Sequence, residues 1–182
     1  PLNDVEAAAD VIADGCLRQV DAGHVVASDG TSRYFLGVLS SGFDSLVNER
    51  ANRMSWPKGQ ARYLISTLAE LRVFKPLDYV FTVDGRNHDA KAMLVAVGNG
   101  VSYGGGMKVC TTAIVDDGEL AVTFLGEVGK GTFLKVFPKV FSGRHIEHES
   151  VTVYSAHTIH LDAARQVAYA DGERVGPLPI DI

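Results

Sequence analysis

Apolar positions change period several times along the chain, and each change marks an element. Val5, Ala8, Ala9 and Ile12 form a helical stripe ending at Gly15, with Asn3 placed to cap it and Glu6 three residues on, so a helix is predicted over about 4–14. Short runs follow at Val25-Val26 and from Tyr34 to Leu39, separated by Asp29-Gly30, and read as strands. Helical spacing returns at Phe43, Leu46 and Val47, then at Tyr63, Leu64, Leu68 and Leu71. Trp56-Pro57 divides these two helices and Pro76 stops the second. Leu77, Tyr79, Phe81 and Val83 alternate, Asp84-Gly85 turns, and Lys91 to Val97 runs back as a hairpin. Further strands are predicted at about 119–125, 151–155, 158–161 and 166–170, with one helix at roughly 131–141. Strands joined by short turns without regular helical crossovers imply a mainly β fold with flanking helices (α+β). We expect an antiparallel β-sandwich over residues 1–182 as one domain, led by a helix within 1–15.

Composition narrows the class. Hydrophobic residues are 46% and charged residues 21% of the 182, enough for a buried core. Glycine, at 19, exceeds its usual share of roughly 7%, which favours tight turns. No apolar run approaches the ~20 residues that span a bilayer. Two cysteines, Cys16 and Cys110, build neither a disulfide framework nor a thiolate zinc site, so a reducing cytosol is the expected compartment. A net charge of −5 argues against general nucleic-acid binding. That charge is unevenly spread: 50–75 carries +5, including Arg50, Arg53, Lys58, Arg62, Arg72 and Lys75, and 129–145 carries +4 from Lys130, Lys135, Lys139 and Arg144. Phe133, Leu134, Phe137, Val140 and Phe141 interleave the second stretch. Either they pack inward under solvated lysines, or the two stretches rest on an anionic membrane surface.

Candidate chemistry is sparse. Asp-Gly recurs at 14–15, 29–30, 84–85, 117–118 and 171–172, each a turn or helix-end signal. Only Asp171-Gly172-Glu173 adds a second acid two residues on, which places a general base and a positioning acid on one hairpin tip. Gly98-Asn99-Gly100 and Gly104-Gly105-Gly106 open no helix and precede no Gly-Lys-Ser/Thr, so they read as irregular loops of close backbone approach. His145, Glu147, His148 and Glu149 are metal-ligand types without a ligand spacing, and His157 and His160 fall on opposite faces of a strand. Hydrolase motifs are absent.

Taken in order, Gly42-Phe43-Asp44-Ser45, Asn48, Asn52-Arg53, Gly98-Asn99, Gly104-Gly105-Gly106-Met107, Asp116 to Leu120 and Tyr169 to Glu173 resemble the second domain of the bacterial diacylglycerol kinase-like lipid kinases. The actinobacterial members are the nearest in wording, and the resemblance covers essentially the whole chain. It departs at Cys110-Thr111-Thr112, where the family commonly has a proline. The resemblance implies a β-sandwich half of an ATP- and magnesium-dependent enzyme that phosphorylates diacylglycerol to phosphatidic acid. It implies Glu173 as proton acceptor, Asp171 as the neighbouring acid oriented toward magnesium and phosphate, and Asp117 with the main-chain carbonyls of Ile114 and Glu119 as a structural magnesium site. The Gly-Gly-Asp-Gly-Thr motif of the family's ATP-binding domain is missing here, and Ser28-Asp29-Gly30-Thr31 only echoes its end. Pro1 and Ile182 therefore look like the edges of an excised domain, inactive alone, whose partners would be its own N-terminal ATP-binding domain, the lipid and the inner membrane face. A homodimer through the uncovered surface is a further expectation. Another lipid or a sphingoid alcohol as substrate, a nicotinamide-nucleotide kinase, and a non-catalytic ligand-binding sandwich remain open alternatives.

Overall fold

The computed structural model describes residues 4–57, 60–104 and 106–182. The expectations for Asn3, Lys58 and Gly105, and for the side chains of Tyr63 and Leu64, lie outside the described residues. Helix α1 (Val5–Ala13) is capped by Asp4, whose side chain accepts from the Ala7 N–H. Its apolar stripe buries nothing: Val5 is 83% and Ile12 80% exposed.

Three strands follow, β1 (Gly23–Ala27), β2 (Ser32–Phe35) and β3 (Val38–Gly42), then helices α2 (Phe43–Arg53) and α3 (Gln60–Val73). The single strand expected from Tyr34 to Leu39 is thus two, because the backbone bends at Leu36-Gly37 to meet a side chain from the far end of the chain. The Leu77–Val83 and Lys91–Val97 hairpin is present as β4 (Leu77–Val83) and a longer β5 (Arg86–Gly98). Next come β6 (Leu120–Gly126), α4 (Lys130–Val136), β7 (Val151–Ala156), β8 (Ile159–Ala163), β9 (Val167–Ala170), β10 (Glu173–Pro177) and β11 (Ile180–Asp181). The helix expected over 131–141 lasts only to Val136, and Pro138 turns the continuation into the 3-10 segment Phe137–Ser142. Strands β10 and β11 escaped the sequence pattern, since Gly176, Pro177 and Pro179 interrupt any alternation there.

Every strand pair is antiparallel, in one sheet ordered β10-β9-β3-β5-β4-β8-β11-β1-β2, with β6 on β5 and β7 on β6. Strand β5 is the junction. Its first half, to Ala92, pairs with β4, and its second, from Leu94, lies between β3 and β6. The sheet thereby folds over itself into a nearly closed sandwich, as the antiparallel, helix-flanked reading anticipated. Inside lie Val25, Leu39, Phe81, Val97, Val122 and Leu161, with Phe81 stacked on Phe124 at 4.1 Å. Burying each such aliphatic side chain contributes about 1.5–3 kcal/mol. A second cluster, Phe43, Phe74 and Phe133 with Met93 and Leu125, fixes α2, the end of α3 and α4 on one sheet surface. Phe133 therefore packs inward, whereas Leu134 and Phe141 stay about half exposed.

Candidate active site

The β9–β10 hairpin turns on two residues only, and both hold the left-handed conformation: φ is 50° at Asp171 and 83° at Gly172. Asp-Gly is the pair that adopts this turn most readily. The Asp171 carboxylate then does what the turn alone would not. Its Oδ2 accepts from the Leu36 N–H at 2.8 Å and its Oδ1 from the N–H groups of Gly37 and Val38 at 2.9 and 3.1 Å, while its own N–H donates to the Val38 carbonyl. The carboxylate is thus a clamp joining the hairpin tip to the β2–β3 bend. Glycine at 37 leaves room for it, because a Cβ there would lie 2.6 Å from Asp171 Oδ1 and would push the carboxylate aside.

Glu173, one residue past the turn, is exposed and ion-paired with Arg33 of β2. Arg174 points the other way, by strand alternation, and donates to Glu49 on α2 at 3.3 Å. Tyr169 also donates to Glu49, at 2.9 Å, and Arg53 pairs with it at 3.1 Å. Burial works against the Glu49 charge, but the Tyr169 hydroxyl and the Arg174 guanidinium outweigh it and hold its carboxyl below the usual range. Helix α2 therefore grips the catalytic-candidate hairpin from behind.

Beside the turn opens a cavity of about 280 Å³, lined by Ser40, Asp44, Asn48, Tyr103, Met107 and Tyr169 together with Asp171 and Gly172 of the turn itself. Asp44 reaches it because α2 starts abruptly at Gly42, whose φ of 95° and close approach to Met93 O (2.7 Å from a hypothetical Cβ) exclude other residues. Asp44 Oδ2 accepts from Ser40 Oγ at 2.7 Å and Asn48 Nδ2 at 3.2 Å. Burial pushes the Asp44 carboxyl above its ordinary range against these hydrogen bonds, and burial beside Asp44 pushes the Tyr103 phenol well up.

The expected magnesium residues lie in a separate loop. Asp117 Oδ1 accepts from the Glu119 N–H at 3.0 Å, Asp21 Oδ2 from the Gly118 N–H at 2.7 Å, and the Asp21 N–H donates to Val115 O. Arg18 pairs with Asp116 at 2.8 Å, and Glu119 accepts from Ser155. Ile114, Asp117 and Glu119 thus sit on one short turn facing Asp21. Carboxylate and main-chain oxygens are the donor set of a hard cation, and the residues fit magnesium in that respect. No group of three or more His, Cys, Asp or Glu positioned for a metal occurs among the described residues. His145 bonds Val109 O, His157 bonds Gly118 O, and Glu147 pairs with Arg144.

Buried Asn99 joins the two clusters. Its Nδ2 donates to Asp21 O at 2.8 Å, and its main-chain N–H and that of Gly100 donate to Gly37 O. Sequence reasoning quoted Asp44, Asn48, Asn99 and Tyr169 as words without a role and passed over Asp21, Arg33 and Glu49. Asp44 carried a usable signal, an acid straight after a Gly-Phe helix start; Asp21 and Arg33 carried none, because their partners lie 78 or more residues away.

The fold is thus an antiparallel β-sandwich domain that presents a clamped acidic turn beside a polar cavity. The chain belongs to the YegS C-terminal NAD kinase beta sandwich-like domain family, whose model matches residues 37–182, and so to the C-terminal domains of the diacylglycerol kinase-like proteins. It is 39% identical over its whole length to a diacylglycerol kinase of Mycobacterium tuberculosis, and 24% identical over 98% of its length to one of Bacillus subtilis. It spans 59% and 58% of those two proteins. A crystal structure of a Bacillus anthracis diacylglycerol kinase shares the fold, with a TM-score of 0.65 at 20% identity, covering all of this chain and 55% of that one.

Proposed function

We propose that this chain forms the acceptor side of an ATP-dependent lipid kinase that converts diacylglycerol to phosphatidic acid. What carries the reading is Glu173, an exposed carboxylate next to a turn that Asp171 fixes, the turn residues Asp171 and Gly172 themselves lining a polar cavity. The 3-hydroxyl oxygen of diacylglycerol forms a bond to the γ-phosphorus of ATP as the bond from that phosphorus to the ADP oxygen breaks; the hydroxyl proton passes to Glu173. Such transfers depend on positioning and charge more than on covalent chemistry. Arg33 aims the Glu173 carboxylate, and Asp171 holds the turn.

Asp117, with the carbonyls of Ile114 and Glu119, would hold a magnesium ion. When bound, it supplies charge that keeps the acidic loop folded against Asp21. ATP would bind to a segment outside this chain, which spans only 59% and 58% of two longer relatives. The lipid is met at an anionic membrane face, to which the exposed Leu134 and Phe141, with Lys135 and Lys139 between them, are suited. No described helix is long and apolar enough to cross a membrane.

The test is transfer of labelled phosphate from ATP to diacylglycerol in mixed micelles. The full-length protein containing this chain is expected to make phosphatidic acid and the 182-residue chain alone to make none. Absence of lipid phosphorylation by the full-length protein, or activity of the isolated chain, overturns this assignment.

A further inference from the structure

Arg33 and Glu173 meet across a seam of the sheet. Strands β2 and β10 are the two ends of the main strand order, and among the described residues each is paired with one neighbour only, β1 and β9 respectively. Arg33 of β2 donates to Oε2 of Glu173, the first residue of β10, so this ion pair bridges two sheet edges that no ladder joins. The two side chains are 43% and 70% exposed, and ion pairs so open to water are weak and screened. The other charges beside the turn are committed elsewhere. Asp171 turns its carboxylate onto three main-chain N–H groups, and Arg174 donates to Glu49. Arg33 is thus the cation that stands with the base, in a contact that exchanges easily.

That contact suits a waiting base and not a working one. A working base offers a lone pair to the acceptor hydroxyl from about 2.6–3.2 Å, whereas the guanidinium, charged at every accessible pH, occupies Oε2. The hydroxyl oxygen is also the atom that bonds to phosphorus. The equatorial oxygens of the moving phosphoryl group therefore pass within a few ångström of the carboxylate, inside the reach of a guanidinium already touching it. Those oxygens carry the charge of the transition state, and the planar fork of arginine matches two of them at once. We propose that Arg33 is a catalytic residue that gives up Glu173 for the equatorial oxygens of the transferring phosphoryl group, freeing the base and stabilising the transition state in one movement. Arg33 keeps its proton throughout: the acceptor oxygen bonds to phosphorus, the bond from phosphorus to ADP breaks, and the acceptor's proton goes to Glu173. This rests on the kinase reading above and adds a contact to the phosphoryl group.

The experiment has two arms, both on the full-length protein. Calorimetry with magnesium and dioctanoylglycerol present gives Kd for ADP and for ADP with fluoroaluminate, a planar mimic of the transferring phosphoryl group. Arg33→Ala is expected to weaken the mimic complex roughly 10²-fold and to leave ADP within about twofold. Arg33→Lys, which keeps the charge and loses the fork, is expected to weaken it about tenfold. The second arm is a double-mutant cycle in phosphatidic acid formation. Arg33→Ala is expected to lower kcat roughly 10²-fold in the wild type and still about tenfold or more in Glu173→Gln, because its target is phosphate and not the carboxylate. An arginine that only aims Glu173 costs nothing further once the base is gone, so no added loss in the Glu173→Gln background overturns the proposal. Wild-type affinity for the mimic in either Arg33 variant of an active enzyme does the same and leaves the kinase assignment standing. Arg33→Lys carries both arms if the alanine variant fails to fold. Full turnover by Glu173→Gln removes the base, and a wild type that phosphorylates no lipid removes the kinase reading; either takes the proposal with it.

Discussion

Two Asp-Gly turns in this molecule share nearly the same backbone and differ in everything they serve. At 84–85 and at 171–172 the aspartate φ is 47° and 50° and the glycine φ is 77° and 83°. Each aspartate N–H donates to a carbonyl of a neighbouring bend, Thr158 or Val38, and each carboxylate accepts main-chain N–H groups from that same bend. The Asp84 turn ends there, with Arg86 exposed beyond it. Beyond the Asp171 turn stands Glu173, with the cavity and α2 beside it. A turn motif therefore supplies rigidity, and the chemistry comes from what long-range packing sets next to it.

The largest difference between the turns should be catalytic. Glu173→Gln in the full-length protein is expected to cut kcat roughly 10²-fold or more while Arg86→Gln, its counterpart, stays within twofold, as read by phosphatidic acid formation. Equal effects would erase the distinction. Next in size is the clamp: Asp171→Ala is expected to cost about 1–2 kcal/mol of stability and roughly tenfold in kcat, by freeing the turn that carries Glu173. Gly37→Ala should do the same without touching an acid, because its Cβ displaces the Asp171 carboxylate. Normal turnover in both would show that the clamp is not needed. Asp84→Ala, by contrast, is expected to lower the thermal midpoint and leave turnover alone.

The smallest effect is in pH dependence. The Thr158 N–H foremost holds the Asp84 carboxyl below its ordinary range against the opposing effect of burial, with the His157 N–H adding to the lowering. A depressed folded value means that this contribution to stability is present above about pH 4, the unfolded value, and fades as pH falls through the folded one. The gap in thermal midpoint between wild type and Asp84→Asn is expected to be full at pH 6 and to close toward pH 2. A gap that widens on acidification would reverse the sign of the account.

Much of the fold was legible because it is local. Leu77 to Val97 declares its hairpin by alternation around Asp84-Gly85, and Trp56-Pro57 separates two helices. The bend at Leu36-Gly37 was not legible: it exists to serve a carboxylate some 135 positions later. For the site, the sequence named the turn by resemblance but gave Asp171 an outward task, whereas its carboxylate faces three main-chain N–H groups. The stripe of α1 shows the opposite limit, since helical spacing promises a buried face and nothing among the described residues covers Val5 or Ile12.

The central proposal, that the lipid acceptor meets this chain at the Asp171–Glu173 turn and the cavity its residues line, is tested most directly by photo-crosslinking. A diacylglycerol carrying a diazirine next to its glycerol carbons is irradiated with the full-length protein, and the adducts are mapped by mass spectrometry. Labelling of Tyr103, Met107 or Tyr169, competed by dioctanoylglycerol, is the predicted result. Competed labelling confined to the Asp117 loop, or to parts of the protein outside this chain, would contradict it.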